Sequence, residues 1–423
     1  MTGIVGSNFL KVDARDKVTG RAIYPDDIYF DDLLYVKVKR APHPHAYLRK
    51  LDVSKAEELP GVVKVITATD YPDLNKFGLI IKDQPVLVGI GEKMRYLGDA
   101  LAIVVAESRE IATRALDLIR VEVEELEVIS DPLRAMDDDA PAIHEDGNIL
   151  ITHYLDKGDV EKGFAGADII VEREYRTQHI DQLPLQPEAG VGLYDEESGV
   201  IKLWVATQWL HDTQADIAQS LGLPREKVRI IQPAIGGAFG KREDISVHIH
   251  LALAAMATGR PVKLTYTREE SMITQSKRHP MIIRAKTGAT KDGYLTAWQV
   301  EVIGDAGAYA SSSPAVVHKG MYHCTGPYNV ENVRGVSHAV YTNNTYSGAM
   351  RGFGTTQMAF AYESQMDILA HELGLDPAQF RLQNAYQVGS LTPNGQVLSR
   401  SVNVRETIKK AIEMSDWKGV RVE

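Results

Sequence analysis

Two glycine-rich turns constrain this chain more than any other feature. One is Ile235-Gly236-Gly237-Ala238-Phe239-Gly240-Lys241-Arg242-Glu243, and the other is Ala349-Met350-Arg351-Gly352-Phe353-Gly354. Each sets a Phe and a charged residue among glycines. Glycine lets backbone come close to a ligand and leaves N–H groups free to donate. A Phe within such a turn offers a flat wall to a planar ring. The first turn joins a strand-like run to an apolar helical one, where glycine also serves plain tight packing. Its spacing matches neither GxGxxG nor GxxxxGK[ST], which removes the dinucleotide fingerprint and the P-loop.

The surroundings alternate between strand and helix. Residues 33–39, 62–67 and 100–106 are rich in β-branched residues and read as strands. Residues 107–119 carry Ala112, Ala115, Leu116 and Ile119 at helical spacing. The acidic stretch 131–141, with Asp137, Asp138 and Asp139 in a row, reads as a solvated linker. The expected division is therefore one domain over 1–136 and a second over 137–423. In the second, strands are expected at 201–206, 228–232, 262–266, 281–287, 295–303 and 333–341. Helices are expected at 211–221, 245–257, 357–373 and 404–414. The fold class is α+β.

Several side chains near the turns have both a bland and a chemical reading. Gln208 ends a strand, where a Gln is ordinarily a surface residue, but its amide also suits a ligand oxygen. Glu243 falls in the first turn of the expected helix, where a carboxylate favours the helix dipole; facing a cavity, it would bind a polar heterocycle. Arg351 and Phe353 fit a surface cation and a core ring equally well. Cys324 reads as a small buried hydrophobe. The pairs His43 and His45, His248 and His250, and His318 and His323 do not form a convincing metal set.

Composition removes several classes. The net charge of −10 over 423 residues argues against a general nucleic-acid binder, which needs clustered Lys and Arg. A single cysteine leaves no disulfide framework, no thiolate zinc site and no iron–sulfur cluster held by this chain alone. The start shows no basic region followed by an apolar core, and no run of 18 apolar residues marks a membrane span, so the cytoplasm is the expected compartment.

The turns, together with Thr207-Gln208, Thr258-Gly-Arg-Pro-Val-Lys, Thr267-Arg-Glu-Glu and Lys277-Arg-His-Pro, resemble in order the molybdenum cofactor-binding region of the xanthine oxidase family of molybdenum hydroxylases. Upstream, Arg40-Ala-Pro-His-Pro-His-Ala-Tyr-Leu, Leu59-Pro-Gly-Val-Val and Gly98-Asp-Ala-Leu-Ala-Ile-Val-Val-Ala resemble that family's hammerhead domain. The resemblance implies a hammerhead α/β domain followed by the first half of the molybdenum cofactor-binding α+β region.

Carried over by position, the resemblance implies that Gln208 contacts a ligand of the molybdenum through its amide. Gly237, Phe239, Gly240 and Arg351 would hold the cofactor, with the N–H groups of Phe239 and Arg351 toward oxygen or pterin groups. Glu243 matches the acidic substrate-binding position and Phe353 the ring that stacks on a heteroaromatic substrate. Where purine-oxidising members have an Arg, this chain has Lys319, a point charge rather than a bidentate fork. Gly352 stands where the carbon monoxide-oxidising branch has a Cys, which disfavours that branch. The family's catalytic Glu belongs to the missing second half, so no catalytic base is expected on this chain.

The resemblance further implies a molybdopterin cytosine dinucleotide cofactor, with sulfido and selenido both open for the terminal ligand. The implied partners are a smaller molybdopterin subunit that supplies the base, an FAD subunit, and an iron–sulfur subunit with 2Fe–2S clusters. The expected reaction is hydroxylation of nicotinate to 6-hydroxynicotinate with NADP as acceptor. A xanthine or aldehyde hydroxylase subunit, or a molybdopterin carrier without turnover, is the alternative.

Overall fold

A computed structural model describes residues 3, 4 and 6–419. Residues 1, 2 and 420–423 of the two expected domains lie outside the described residues, as does residue 5. Two sheets carry the fold, and each delivers one of the glycine turns. The larger has seven strands in the order Val228–Ile231, Val200–Val205, Ala189–Asp195, Val262–Thr265, Leu34–Arg40, Ala100–Ala106 and Val62–Thr67. The other has five, in the order Ile149–Lys157, Asn332–Tyr341, Leu295–Gly307, Met281–Ala289 and Ile169–Arg176. A small third sheet joins Lys93–Met94, Ala46–Asp52 and Arg120–Glu125.

Strand Leu34–Arg40 pairs in parallel with Val262–Thr265, in register Leu34 to Val262. The large sheet therefore crosses the expected linker and combines strands from both sides of it. Every residue of Ala100–Ala106 is buried, as a strand covered on both faces requires. Helix His248–Thr258 covers this sheet. It is apolar almost all round, and Gly259 closes it in the left-handed region at φ 62°. The five-stranded sheet packs under helices Ser313–Tyr322 and Thr355–Glu372, whose Val316, Val317, Met321, Met358 and Leu369 join its core.

Most expected elements form within a few residues of their reading; Thr355–Glu372, for example, replaces 357–373. The expected helix at 245–257 is a correction. It starts later, at His248, and a separate 3-10 turn, Lys241–Glu243, stands before it. Asp244 is extended at ψ 149° and breaks the two apart. Glu243 is thus not in the first turn of an α-helix, and the dipole argument for it lapses.

Candidate functional site

The two turns meet backbone to backbone. Gly240 sits at φ 105°, and a Cβ there would fall 2.3 Å from the Ala349 carbonyl oxygen and 2.9 Å from the Met350 nitrogen. Only glycine allows that approach. The N–H of Arg351 donates to the Phe239 carbonyl at 2.9 Å and locks the pair. Phe239 and Phe353 are themselves left-handed, at φ 57° and 51°. Such backbone costs about 1–3 kcal/mol for a non-glycine and persists where its surroundings over-determine it.

Side chains anchor each turn from behind. Lys241 is fully buried. Its Nζ donates to both oxygens of Asp181 at 2.9 Å and to Ser271 Oγ at 3.1 Å. Lys277 reaches the same Asp181 at 2.9 Å. Burial alone would raise the Asp181 carboxyl, but the two ammonium groups hold it below the usual carboxylate range. Arg242 pairs with the buried Glu188 at 2.7 Å. Lys277 also exchanges backbone bonds around the second turn, giving its N–H to the Tyr346 carbonyl and accepting from the Gly348 N–H. Arg278 donates to the Arg351 carbonyl at 2.9 Å, and Gln182 donates to the Ala349 carbonyl at 2.9 Å. Asp181 therefore ties the first turn to the segment that holds the second. The sequence reading missed Asp181, Gln182, Glu188 and Arg278 as supports. The stretch 181–188 has no helix or strand period, and only the match at Lys277-Arg-His-Pro pointed toward this region.

On the open side, Gln208 Oε1 accepts from the Gly240 N–H at 3.0 Å, and its Nε2 lies 3.4 Å from Glu243 Oε1. The Gln208 backbone N–H donates to the Arg242 carbonyl at 2.9 Å, which fixes the residue against the first turn. Gln208, Gly240 and Glu243 are thus one bonded set. Phe239 remains 48% exposed. Glu243 is half-buried; burial and the adjacent Asp244 push its carboxyl up to about 7, and its Oε2 has no hydrogen-bond partner among the described residues.

The second turn brings Lys319 and Phe353 together. Gly354, at φ 92°, rests on helix Ser313–Tyr322, where a Cβ would lie 2.4 Å from the Val316 carbonyl oxygen. That contact sets Lys319 Nζ 5.7 Å from the centre of the Phe353 ring.

Both backbone groups of Arg351 are engaged within the protein, the N–H by Phe239 and the carbonyl by Arg278. The turn-to-turn bond takes the donor that was expected to face a cofactor. The N–H of Phe239, by contrast, has no protein acceptor among the described residues. A cofactor bearing oxygen, sulfur and pterin groups needs donors at a close-approach backbone. A free Phe239 N–H, the Gln208 amide, and Gly237 and Gly240 without side chains fit that need. A wide, half-open cavity lies elsewhere, between Thr296, Asn332, Gln383 and Arg405. The turns form an exposed wall rather than a closed pocket.

Fold and site together define a molybdopterin cofactor-binding chain that also carries a hammerhead domain. Residues 143–385 match the molybdopterin cofactor-binding domain, and residues 19–127 match the a/b hammerhead domain of aldehyde oxidase and xanthine dehydrogenase. The chain belongs to the xanthine oxidase family of molybdenum hydroxylases, a family of oxidoreductases.

It is 47% identical to the nicotinate dehydrogenase large molybdopterin subunit of Eubacterium barkeri, over 97% of this chain and 96% of that one. It is 41% identical to a probable xanthine dehydrogenase subunit of Bacillus subtilis, over 91% of this chain but 51% of that one. The aldehyde oxidoreductase structure from Desulfovibrio gigas superposes with a TM-score of 0.92 at 30% identity, over 97% of this chain and 46% of that one. The chain spans about half the length of these last two. Among the described residues, no helix is long and apolar enough to cross a membrane.

Proposed function

We propose that this chain is the large molybdopterin subunit of a multi-subunit hydroxylase that converts nicotinate to 6-hydroxynicotinate with NADP as acceptor. The observation that carries the reading is the bonded set Gln208–Gly240–Glu243, locked to the second turn through Phe239 and Arg351. The near-equal length and 47% identity shared with the nicotinate dehydrogenase subunit support the choice of substrate. In this reading the domains run 1–136 and 137–423, and the complex works in the cytoplasm.

Gln208, Gly237, Phe239, Gly240 and Arg351 would hold the cytosine dinucleotide form of the cofactor. When bound, the molybdenum group, with a terminal sulfido or selenido ligand, supplies the two-electron chemistry of ring hydroxylation. This chain's residues bind and orient the substrate. Phe353 gives the ring a stacking face, and the nearby Lys319 ammonium suits the carboxylate of an anionic ring. A Glu243 carboxyl titrating near 7 can still donate a hydrogen bond to a ring nitrogen at neutral pH. The base Glu belongs to the smaller molybdopterin subunit, and the FAD and iron–sulfur subunits carry the electrons away.

The 41% identity to a probable xanthine dehydrogenase subunit favours a second reading, a purine hydroxylase. Turnover of the purified assembled enzyme on nicotinate, xanthine and an aldehyde separates them. Nicotinate turnover, with molybdenum and selenium in the preparation, supports the first reading. Turnover on xanthine alone replaces it with the second. A metal-free chain that co-purifies with no other subunit overturns both.

A further inference from the structure

Apolar side chains border the open side of the first turn. Leu185 is 91% exposed, and Leu183 and Phe239 near it are about half exposed. They form one patch: a Cβ on Gly237 would meet Pro184 Cβ at 3.0 Å and the Phe239 ring at 3.3 Å. The two leucines are held out rather than left loose. Leu183 stands in the left-handed region at φ 44°, a costly backbone for a branched side chain. Its N–H donates to Asp181 Oδ1 at 2.7 Å, and Arg268 donates to the Pro184 and Leu185 carbonyls at 2.7 and 3.2 Å.

The patch continues onto the N-terminal segment. Gly236 donates to Gln186 Oε1 at 2.7 Å, and a Cβ on it would fall 3.4 Å from the Tyr24 ring. The Ile23 carbonyl accepts from the Ala234 N–H at 2.9 Å, which ties the segment to the run that enters the turn. Upstream of Ile23, helix Ala14–Val18 buries no residue. Phe9, Leu10, Val12 and Val18 are exposed, Leu10 at 94%. The bonds that shape this segment close within it: the Ala22 N–H donates to the Asp16 carbonyl at 3.0 Å, and Lys17 pairs with Asp13 at 2.7 Å. Single exposed apolar residues are ordinary, but a joined run of them marks an interaction surface.

We propose that this run, from residues 9–23 across Leu183 and Leu185 to Phe239, is the docking surface for the smaller molybdopterin subunit. The identity of the occupant rests on the proposed function. Two observations favour that partner over a second copy of this chain. The chain fits 46% of the Desulfovibrio gigas enzyme at a TM-score of 0.92 and matches 51% of the Bacillus subtilis relative, so each of those chains has as much again to pack against a face that is bare here. The patch also borders the wall that carries the free Phe239 N–H. A group held on that wall needs a second side to shut out water, and a chain seated on the patch reaches it.

The test uses the complex recovered from the native host through a tag on this chain. Leu185→Glu and Leu10→Glu each put a charge on a side chain that already lies in solvent. Each should lower the smaller subunit recovered per mole of this chain by about tenfold or more, the loss expected of a charge forced into an apolar interface. Tyr154→Glu, 75% exposed on the edge of the five-stranded sheet, should leave recovery at wild type. The urea midpoints of all three variants should also stay at wild type. Full recovery with both patch variants overturns the proposal, and so does an equal loss with Tyr154→Glu. Loss of the subunit together with a lower urea midpoint would mean that the leucines pack within the chain, and overturns it too. A wild-type dimer in light scattering that Leu185→Glu dissolves, with the complex intact, would give the surface to a second copy. If the wild type brings down no second molybdopterin chain, the proposed function itself fails, and this surface loses its occupant with it.

Discussion

The two turns look alike in sequence but are held by different physics. Each places a Phe in the left-handed region between glycines near φ 100°. The first turn is fixed by charge: Lys241 and Arg242 continue straight into buried ion pairs with Asp181 and Glu188. Its Phe239 remains half exposed, and polar groups line its open side. The second turn is fixed by contact: Gly354 lies directly on a helix backbone, and Phe353 packs against the core of the five-stranded sheet. One turn presents hydrogen-bonding groups, and the other presents a ring. The lesson is that a shared glycine pattern sets backbone shape only. What lies behind the turn decides which chemistry it offers.

The sharpest way to break this contrast is to remove a charge behind the first turn. Arg242→Met leaves Glu188 buried without its cation and should cost about 3–5 kcal/mol in urea unfolding. A loss under about 1 kcal/mol would show that charge does not hold this turn. The matching change at the second turn is Gly354→Ala. It adds a Cβ 2.4 Å from the Val316 carbonyl oxygen at a left-handed residue, and should cost about 2–3 kcal/mol. The circular dichroism of the domain should survive, and the stacking position of Phe353 should shift in a crystal structure.

The sequence made some of this legible. The glycine–Phe patterns and the helix at Thr355–Glu372 follow from local spacing, because turn chemistry and helical period act over a few residues, whereas Gln208 is singled out by the family resemblance. What stayed hidden depends on distant partners. The pairing of Leu34 with Val262 leaves no local mark, so the sequence does not show that strands from either side of the 131–141 stretch share one sheet. The anchors Asp181 and Glu188 are ordinary acids until the fold buries them beside Lys241 and Arg242. The Arg351 N–H reads as free because nothing in its own turn accepts it; its acceptor, the Phe239 carbonyl, comes from the other turn. Glu243 reads as helical because the apolar run after it is helical, and the break at Asp244 has no sequence signature.

A smaller effect tests the electrostatics of the first turn alone. The Glu243 carboxyl is raised to about 7 in the folded chain from an ordinary value of 4.5. The folded state therefore holds this proton over a range where the unfolded state has lost it. Stability from this group is full below about pH 4.5 and is lost as pH rises through 7. Glu243→Gln removes that dependence, so the variant should gain on wild type between pH 5 and pH 8 in urea midpoints. A difference that does not change with pH would mean that the half-buried carboxyl is hydrated like a surface group.

The smallest effect sharpens the second turn. Lys319 is exposed and touches Phe353 only through a ring contact at 5.7 Å, so Lys319→Met should change stability by less than about 1 kcal/mol. Its effect on substrate should be selective. If the ammonium serves a carboxylate, KM for nicotinate should rise about fivefold, while KM for the neutral amide analogue stays at wild type. An equal rise for both would mean that Lys319 only shapes the Phe353 ring. The second turn would then be a purely steric device, and discrimination by charge would rest with the first turn.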